Sequence, residues 1–256
     1  HFIFDDISFS SDGKQLQEIK LYRDEDFDSY HAYIPALPKD SLHIYFNHCK
    51  GVIFDGTELS SGDAIPIVES GIPYLVQALT WTDEIFWEDY ITFYFCETVP
   101  SMFVTTENNT MEYINADKTV KESATFATYN CDGSLDTIGY CNFSGRGYSS
   151  WSRSQKSYNL NLSDATSVLG MNSVARCALL ANYSSEFPQI KNKIAFELAE
   201  KLDLPYTTQS EFVQVYLNGH YNGLYLLTQR IDVDGSVKIN NLDEANELLN
   251  SEEDYH

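Results

Sequence analysis

Arg146 is the first of three residues whose chemical types suit the binding of a phosphate group. It lies between two glycines in the segment Ser144-Gly145-Arg146-Gly147. Glycines let a backbone approach a phosphate closely, and a guanidinium can hold the phosphate with two donors. Turns of this composition are common, and this one is neither a Walker loop nor a G-x-G-x-x-G fingerprint. Arg146 is therefore a candidate only in combination with its neighbours.

Lys156 begins a strand-like segment in which side chains alternate between two faces. Counting by twos from Lys156 gives an apolar face, made of Tyr158, Leu160 and Leu162. The alternation predicts that Lys156 points inward, where an unpaired ammonium is strongly destabilising. A bound phosphate or a helix glutamate would supply the opposite charge. The alternative is a lysine at the strand end whose ammonium reaches solvent.

Glu197 lies in the segment 188–202, whose apolar residues repeat with the period of a helix. The predicted buried stripe consists of Ile190, Ile194, Leu198 and Leu202. Glu197 would lie at the edge of this stripe, and it could pair with Lys156 if the helix packs beside that strand. The alternative is a glutamate that faces solvent.

The elements that must position these residues are mostly strands. Residues 1–90 contain short strand-like runs separated by turns and prolines, which predict a small all-β, sandwich-like module. Residues 91–256 combine antiparallel strands with one or two helices, and residues 112–114 are predicted as one of the strands. Asn218-Gly219 is typical of a hairpin turn. The sequence thus predicts an α+β fold with a domain boundary near residue 90.

The chain of 256 residues is strongly acidic, since 38 Asp and Glu against 16 Lys and Arg give a formal net charge of −22. Such a chain repels phosphate backbones and anionic lipid, which argues against nucleic acid and membrane surfaces as partners. No stretch approaches the ~18 apolar residues of a membrane span, so membrane insertion is not predicted either. The charge suits a basic protein partner, although a solvated surface that keeps a secreted protein soluble explains it more simply.

Other common catalytic and metal-binding patterns are missing from the sequence. The five cysteines form no C-x-x-C pair, and the six histidines show no H-x-x-x-H or H-x-E spacing, so zinc chemistry has no support. Cys131 and Cys141 flank a turn, and either a cross-strand disulfide or free thiols fit them. No G-x-S-x-G elbow surrounds Ser149 or Ser150, which argues against a serine hydrolase.

A series of short motifs follows in a specific order between residues 98 and 235. The motifs are Gly145-Arg146-Gly147, Lys156-Ser157-Tyr158, Leu180-Ala181-Asn182-Tyr183, the helical run 191–199, and Leu217-Asn218-Gly219 with Gly223-Leu224-Tyr225. Their order and spacing resemble the CotH family of spore-coat-type atypical protein kinases. The resemblance implies phosphorylation of protein serines with ATP and Mg²⁺ or Mn²⁺, by a bacterial protein located outside the cell or at its surface. It gives Lys156 the role of the phosphate-contacting lysine, with Arg146 beside it and Glu197 as its ion-pair partner.

Several positions depart from the family pattern. Ser184-Ser185-Glu186 and Lys191 stand where relatives have an acidic residue and an arginine, and Gln229 stands where Glu is expected. No W-D-x-D-like segment, which carries the metal-binding and catalytic aspartates of the family, follows Asp232. We therefore expect the N-terminal part of a longer protein, inactive alone, with no catalytic or metal-binding residue in this chain.

Two functions of different classes remain open. The first is ATP-dependent phosphorylation of a protein substrate, basic and serine-rich by charge complementarity, carried out by the longer protein. The second is a non-catalytic surface or structural scaffold, or a carbohydrate- or protein-binding module with a degenerate kinase fold. The inward-facing Lys156 favours the first, whereas Gln229 and the missing aspartates favour the second.

Overall fold

A computed structural model describes residues 7–11, 17–24, 29–37, 42–181, 190–204, 207–232 and 237–238. These residues contain two α-helices, α1 (Glu112–Ala116) and α2 (Lys191–Lys201), and a 3₁₀ turn at Ser149–Ser152. The strands are β1 (Ser8–Ser10), β2 (Ile19–Lys20), β3 (Tyr22–Asp24), β4 (Ser29–Pro35), β5 (His43–Tyr45), β6 (Gly51–Phe54), β7 (Thr57–Leu59), β8 (Pro73–Leu79), β9 (Ile85–Cys96), β10 (Ser101–Thr106), β11 (Lys121–Tyr129), β12 (Leu135–Arg146), β13 (Ser157–Thr166), β14 (Val174–Ala181), β15 (Ser210–Leu217), β16 (His220–Gln229), β17 (Ile231–Asp232) and β18 (Val237–Lys238). The protein is therefore β-rich, which agrees with the predicted α+β class.

The chain divides into two compact units that are interleaved in sequence. Residues 1–111, 124–138 and 213–224 form the first unit, and residues 112–123, 139–212 and 225–256 form the second. The division between residues 1–90 and 91–256 stays a prediction.

The first unit contains two open sheets. One has the strand order β2-β1-β5 and the other β3-β4-β9-β8-β6-β7, in which only β4 and β9 run parallel. Alternation along β9 buries Ile91 and Phe93 and leaves Tyr90 and Tyr94 exposed, as expected for a strand with one buried face. Both sheets contribute to one hydrophobic core, where Phe9 and Phe93 pack edge to face with ring centroids 5.1 Å apart.

Seven strands form a closed barrel in the order β10-β11-β12-β13-β14-β16-β15. In the second unit, the pairs β12–β13, β13–β14 and β14–β16 are antiparallel. Tyr158, Leu160 and Leu162 of β13 are all buried, so the apolar face predicted for this strand is confirmed. The pairing brings the end of β12, the start of β13 and the end of β16 together, and these segments carry the candidate site.

The Asn218-Gly219 turn is confirmed. It joins β15 to β16, and both residues have positive φ, 51° and 82°. This conformation suits a two-residue hairpin, because its twist matches that of the flanking strands.

The prediction of a strand at residues 112–114 is wrong. These residues lie in α1, a short helix in which Ile114 is the buried residue. A single turn of helix can pack against the rest of the unit through one apolar side chain. Three residues are too few to distinguish the hydrophobic period of a helix from that of a strand.

The predicted buried stripe of the second helix is also wrong. Its four residues are more than half exposed: Ile190 52%, Ile194 57%, Leu198 53% and Leu202 60%. The less exposed side of α2 instead contains Lys193, Phe196 and Ala199. The helix begins at Lys191 in the structure, and the predicted start at Pro188 lies outside the described residues.

All five cysteines are free thiols, so the alternative of a Cys131–Cys141 disulfide is not realised. Neither helix of the described residues has the length and hydrophobicity that a membrane span requires.

Candidate functional site

Gly145 and Arg146 are the last two residues of β12, where they pair with Tyr158 and Ser157, so the turn predicted at these positions begins only at Gly147. Replacing Gly145 with any larger residue would displace its neighbours, because a Cβ there would lie 2.6 Å from Trp151 Cζ3 and 2.7 Å from Lys118 Cα. Gly147 has a φ of +103°, which favours glycine. Lys118 Nζ donates a hydrogen bond of 2.9 Å to the Gly147 carbonyl. The two glycines are therefore required by packing and by backbone conformation, and together they fix the chain on either side of Arg146.

Lys156 lies one residue before β13 and is half-buried. Its ammonium donates to the carbonyl oxygens of Trp151 at 2.7 Å and Arg153 at 3.3 Å. It also lies 4.8 Å from the centroid of the Trp151 ring, within the range of a cation–π contact. The ammonium therefore faces the turn between β12 and β13.

Arg146 lies at a cavity of about 280 Å³ on the surface of the second unit. The lining residues are Arg146, Asn159, Leu180, Phe196, Thr208, Thr228, Gln229 and Arg230. Register explains how residues distant in sequence meet here. Ser144 pairs with Asn159, and Ala178 pairs with both Asn159 and Thr228, so Asn159 and Thr228 share the face that Arg146 extends. Phe196 of α2 also lines the cavity.

Two arginines, Arg146 and Arg230, line the cavity. Burial lowers the pKa of Arg146, and the neighbouring positive charge of Arg230 lowers it further. An arginine nevertheless stays protonated under all ordinary conditions, so two like charges share this space. No described carboxylate forms an ion pair with Arg146, and none lines the cavity. An anion is therefore the ligand that this cavity suits.

Gln229 lines the same cavity and is 5% exposed. Its side-chain oxygen accepts a hydrogen bond of 3.2 Å from the Gln209 backbone, and its amide nitrogen donates to the Asn172 carbonyl at 3.4 Å. An amide can make both bonds, whereas a carboxylate could make only the first. The residue thus connects the end of β16 to the segments that precede β14 and β15.

Glu197 lies on the exposed side of α2, with its side chain 50% exposed. Its partner is Lys193, whose Nζ is 3.5 Å from Glu197 Oε1 and 3.3 Å from Glu211 Oε2. Lys193 also donates to the Ser210 carbonyl. Within the described residues, Glu197 and Lys156 form no ion pair.

A second cavity, of about 190 Å³, contains Glu197 in its lining and shares Phe196 and Thr208 with the first cavity. Of the three residues predicted from sequence, the structure therefore places Arg146 at the arginine-lined cavity and Glu197 at the adjoining one. Lys156 lines neither cavity and instead supports the turn that follows Arg146.

Sequence reasoning missed Arg230 and Asn159. Arg230 follows Gln229, which stands out in the sequence only as a departure from the family pattern. The available signal for Arg230 was that it, like Arg146, lies near a predicted strand end. Asn159 lies on the face opposite the apolar one of β13, and without the register there was no reason to connect it with Arg146.

The described residues contain no group of three or more His, Cys, Asp or Glu that could hold a metal ion. The guanidinium groups fit the phosphates of a nucleotide, whereas the described residues provide no site for the accompanying metal. Ser184-Ser185-Glu186, a segment noted for its departures, lies outside the described residues.

The second unit thus carries an arginine-lined cavity at the ends of β12 and β16, beside α2. Residues 143–256 match the family model described as CotH kinase protein. The matched segment includes Arg146, Lys156, Glu197 and every residue that lines the two cavities, and the predicted similarity to the CotH family is confirmed for this segment. No curated protein matches the chain.

Proposed function

We propose that residues 143–256 contribute the nucleotide-binding part of a CotH-type protein kinase. One observation carries this proposal: two arginines line the cavity, and none of its described lining residues is a carboxylate. The two guanidiniums repel each other, and a bound anion would relieve this repulsion. The phosphates of ATP are such an anion, and Arg146 and Arg230 would hold them with paired donors.

The chemistry that bound ATP supplies is the transferable phosphoryl group. This chain's own residues bind and orient it: the guanidiniums hold phosphate oxygens, and the pairing of β12 with β13 fixes the backbone of Arg146. Asn159 and Gln229 add amide groups to the same cavity. The use of Mg²⁺ or Mn²⁺ and the transfer to serine belong to the same proposal and rest on the family assignment.

The proposed substrate is a basic, serine-rich protein, and the proposed location is the bacterial cell surface or the exterior. The support is the charge of −22, which would steer a basic substrate toward the protein. A role for Glu197 in nucleotide binding remains part of the proposal. It would require Glu197 to leave Lys193, its present partner.

The test is binding of ATP, ADP and AMP by calorimetry and thermal shift, with and without Mg²⁺. At ~100 times its Kd a ligand stabilises by about 2.7 kcal/mol, which raises the Tm by roughly 5–10 °C in a chain of this size. Arg146→Ala should weaken ATP binding about 10- to 100-fold, because it removes a charge-assisted hydrogen-bonding group. Arg146→Lys should bind ATP more weakly than the unaltered protein and more tightly than Arg146→Ala, since lysine keeps the charge and loses the paired donors.

Lys121→Ala is the matched control. Lys121 is exposed on β11 and lines neither cavity, yet its removal changes the net charge by the same amount. If Arg146→Ala and Lys121→Ala weaken binding equally, general electrostatics and not this cavity binds ATP. If no nucleotide binds under any condition, the proposed function is wrong for this chain.

The second candidate function is a non-catalytic scaffold, and the hydrogen bonds of Gln229 favour it. The position where a carboxylate is expected contains an amide that joins three chain segments, which is a structural role. Transfer of labelled phosphate from ATP to an arginine- and serine-rich peptide separates the two functions. Nucleotide binding with no transfer by the full-length protein would support the scaffold.

A further inference from the structure

Lys156 connects two features of the site that are separate in sequence. Its ammonium has three donors, and two of them are used by the carbonyls of Trp151 and Arg153. Its own carbonyl accepts a hydrogen bond of 2.8 Å from Tyr225 of β16. Lys156 is therefore held by the barrel at its backbone, while its side chain holds the 3₁₀ turn.

Trp151, which Lys156 holds, is in turn packed against the residue that precedes Arg146. The lack of a Cβ on Gly145 makes room for the Trp151 ring. The ring also packs edge to face with Tyr158, at a centroid distance of 6.4 Å. Trp151 thus lies between the turn and the barrel strand β13.

We infer that Lys156 is a positioning residue, which sets the orientation of Arg146 through Trp151 and Gly145. The ammonium binds the Trp151 carbonyl within the 3₁₀ turn and the Arg153 carbonyl just after it, and the turn so held packs the indole against Gly145. This contact fixes the last residues of β12, and so the direction in which the Arg146 side chain leaves the strand. The inference depends on the proposed function in one respect only: the proposed function names ATP as the ligand of Arg146.

The position of Lys156 distinguishes this role from direct contact with phosphate. Lys156 does not line the cavity where Arg146 and Arg230 lie. Its half-buried charge is already solvated by carbonyl oxygens and by the indole ring. Moving it onto a phosphate would leave both carbonyls without this donor and open the turn.

The experiment measures the environment of the Trp151 side chain by ¹⁹F NMR. The protein contains three tryptophans, so 5-fluorotryptophan labelling gives three ¹⁹F resonances, and Trp151→Phe assigns one of them. Lys156→Met keeps the length of the side chain and removes the charge. In the absence of nucleotide, it should shift or broaden the Trp151 resonance and leave those of Trp81 and Trp87 unchanged. An unchanged Trp151 resonance would overturn the inference.

Nucleotide affinity provides the second measurement. Lys156→Met and Trp151→Leu should each weaken ATP binding about tenfold, the size of one lost hydrogen bond, and the double variant should be no weaker than either. Losses that add in the double variant would instead show that Lys156 contacts the nucleotide independently of Trp151.

Gly145→Ala completes the design, because its Cβ would displace the indole, together with the Lys118 backbone, while the side chain of Lys156 is unchanged. It should reproduce both the ¹⁹F change and the loss of affinity. Far-ultraviolet circular dichroism confirms that each variant is folded. If the unaltered protein binds no nucleotide, the proposed function fails, while the ¹⁹F spectra still decide whether Lys156 positions Trp151.

Discussion

Strand β13 and helix α2 lie in the same unit, and the sequence predicts an apolar inner face for each. In β13 the predicted face is buried, with Leu160 at 0% and Tyr158 at 2% exposure. In α2 the predicted stripe is exposed, and Leu198 in the middle of it is 53% exposed. The same kind of argument from periodicity was therefore right for the strand and wrong for the helix.

The difference comes from what sets the orientation of each element. A strand in a barrel has two hydrogen-bonded neighbours, and their register leaves only two faces for its side chains. A helix satisfies its backbone internally, so its rotation depends only on side-chain contacts. In α2 those contacts include a lysine: Lys193 is 15% exposed in its side chain and binds Glu211 and the Ser210 carbonyl beside β15.

Truncation of one leucine in each element tests this comparison most strongly. Leu160→Ala should destabilise the protein by about 2–5 kcal/mol, because a buried leucine leaves a cavity. Leu198→Ala should change the stability by less than about 0.5 kcal/mol, since the side chain is exposed and alanine suits a helix. Urea unfolding followed by circular dichroism measures both. A comparable loss for Leu198→Ala would show that the stripe of α2 is covered in solution.

Removal of the lysine that attaches the helix tests the other half of the comparison. Lys193→Met keeps most of the apolar stem but leaves the Ser210 carbonyl and two glutamates without their donor, and should destabilise by about 1–2 kcal/mol. Glu197→Gln is its matched control and should change stability by less than about 0.5 kcal/mol, because the pair is half exposed. Hydrogen exchange of the α2 amides should accelerate in the first variant only. Equal acceleration in both would mean that the Lys193–Glu197 pair, and not the contacts beside β15, holds the helix.

The parts of the site that follow from local chemistry could be predicted from the sequence. Three features each depend on only a few neighbouring residues: the buried face of β13, the Asn218-Gly219 hairpin and the glycines around Arg146. The CotH assignment likewise rests on short motifs in order. These features need no knowledge of which strands become neighbours.

The composition of the cavity could not be predicted in the same way. Asn159 and Arg230 meet Arg146 only because β13 lies between β12 and β14, and β14 pairs with β16. Strand order and register are properties of the whole chain, and no short motif encodes them. The partner of Glu197 was missed for a related reason: the rotation of α2 decides whether Lys193 or Lys156 is within reach.

The buried thiols and phenol of the barrel predict a loss of stability in mild alkali, the smallest of these effects. Burial raises the pKa of Cys141, Cys177 and Tyr158 to about 12 in the folded protein, from ordinary values of 9.0 for the thiols and 10.0 for the phenol. A raised folded pKa means that the folded state keeps its protons while the unfolded state loses them. The stabilisation is therefore complete below pH 9 and is lost as the pH rises from about 9 toward 12.

At pH 9 the two thiols together should lower the free energy of unfolding by on the order of 1 kcal/mol relative to pH 7. Urea unfolding at pH 7, 8 and 9 measures the slope, and Cys141→Ser with Cys177→Ser is the informative comparison. Serine does not ionise in this range, so the double variant should be less stable at pH 7 but should lose less between pH 7 and 9. An equal loss in both proteins would show that ionisation of these two thiols does not set the alkaline sensitivity. In that case, burial in β12 and β14 would not control the titration, and the contrast between strand and helix would be confined to packing.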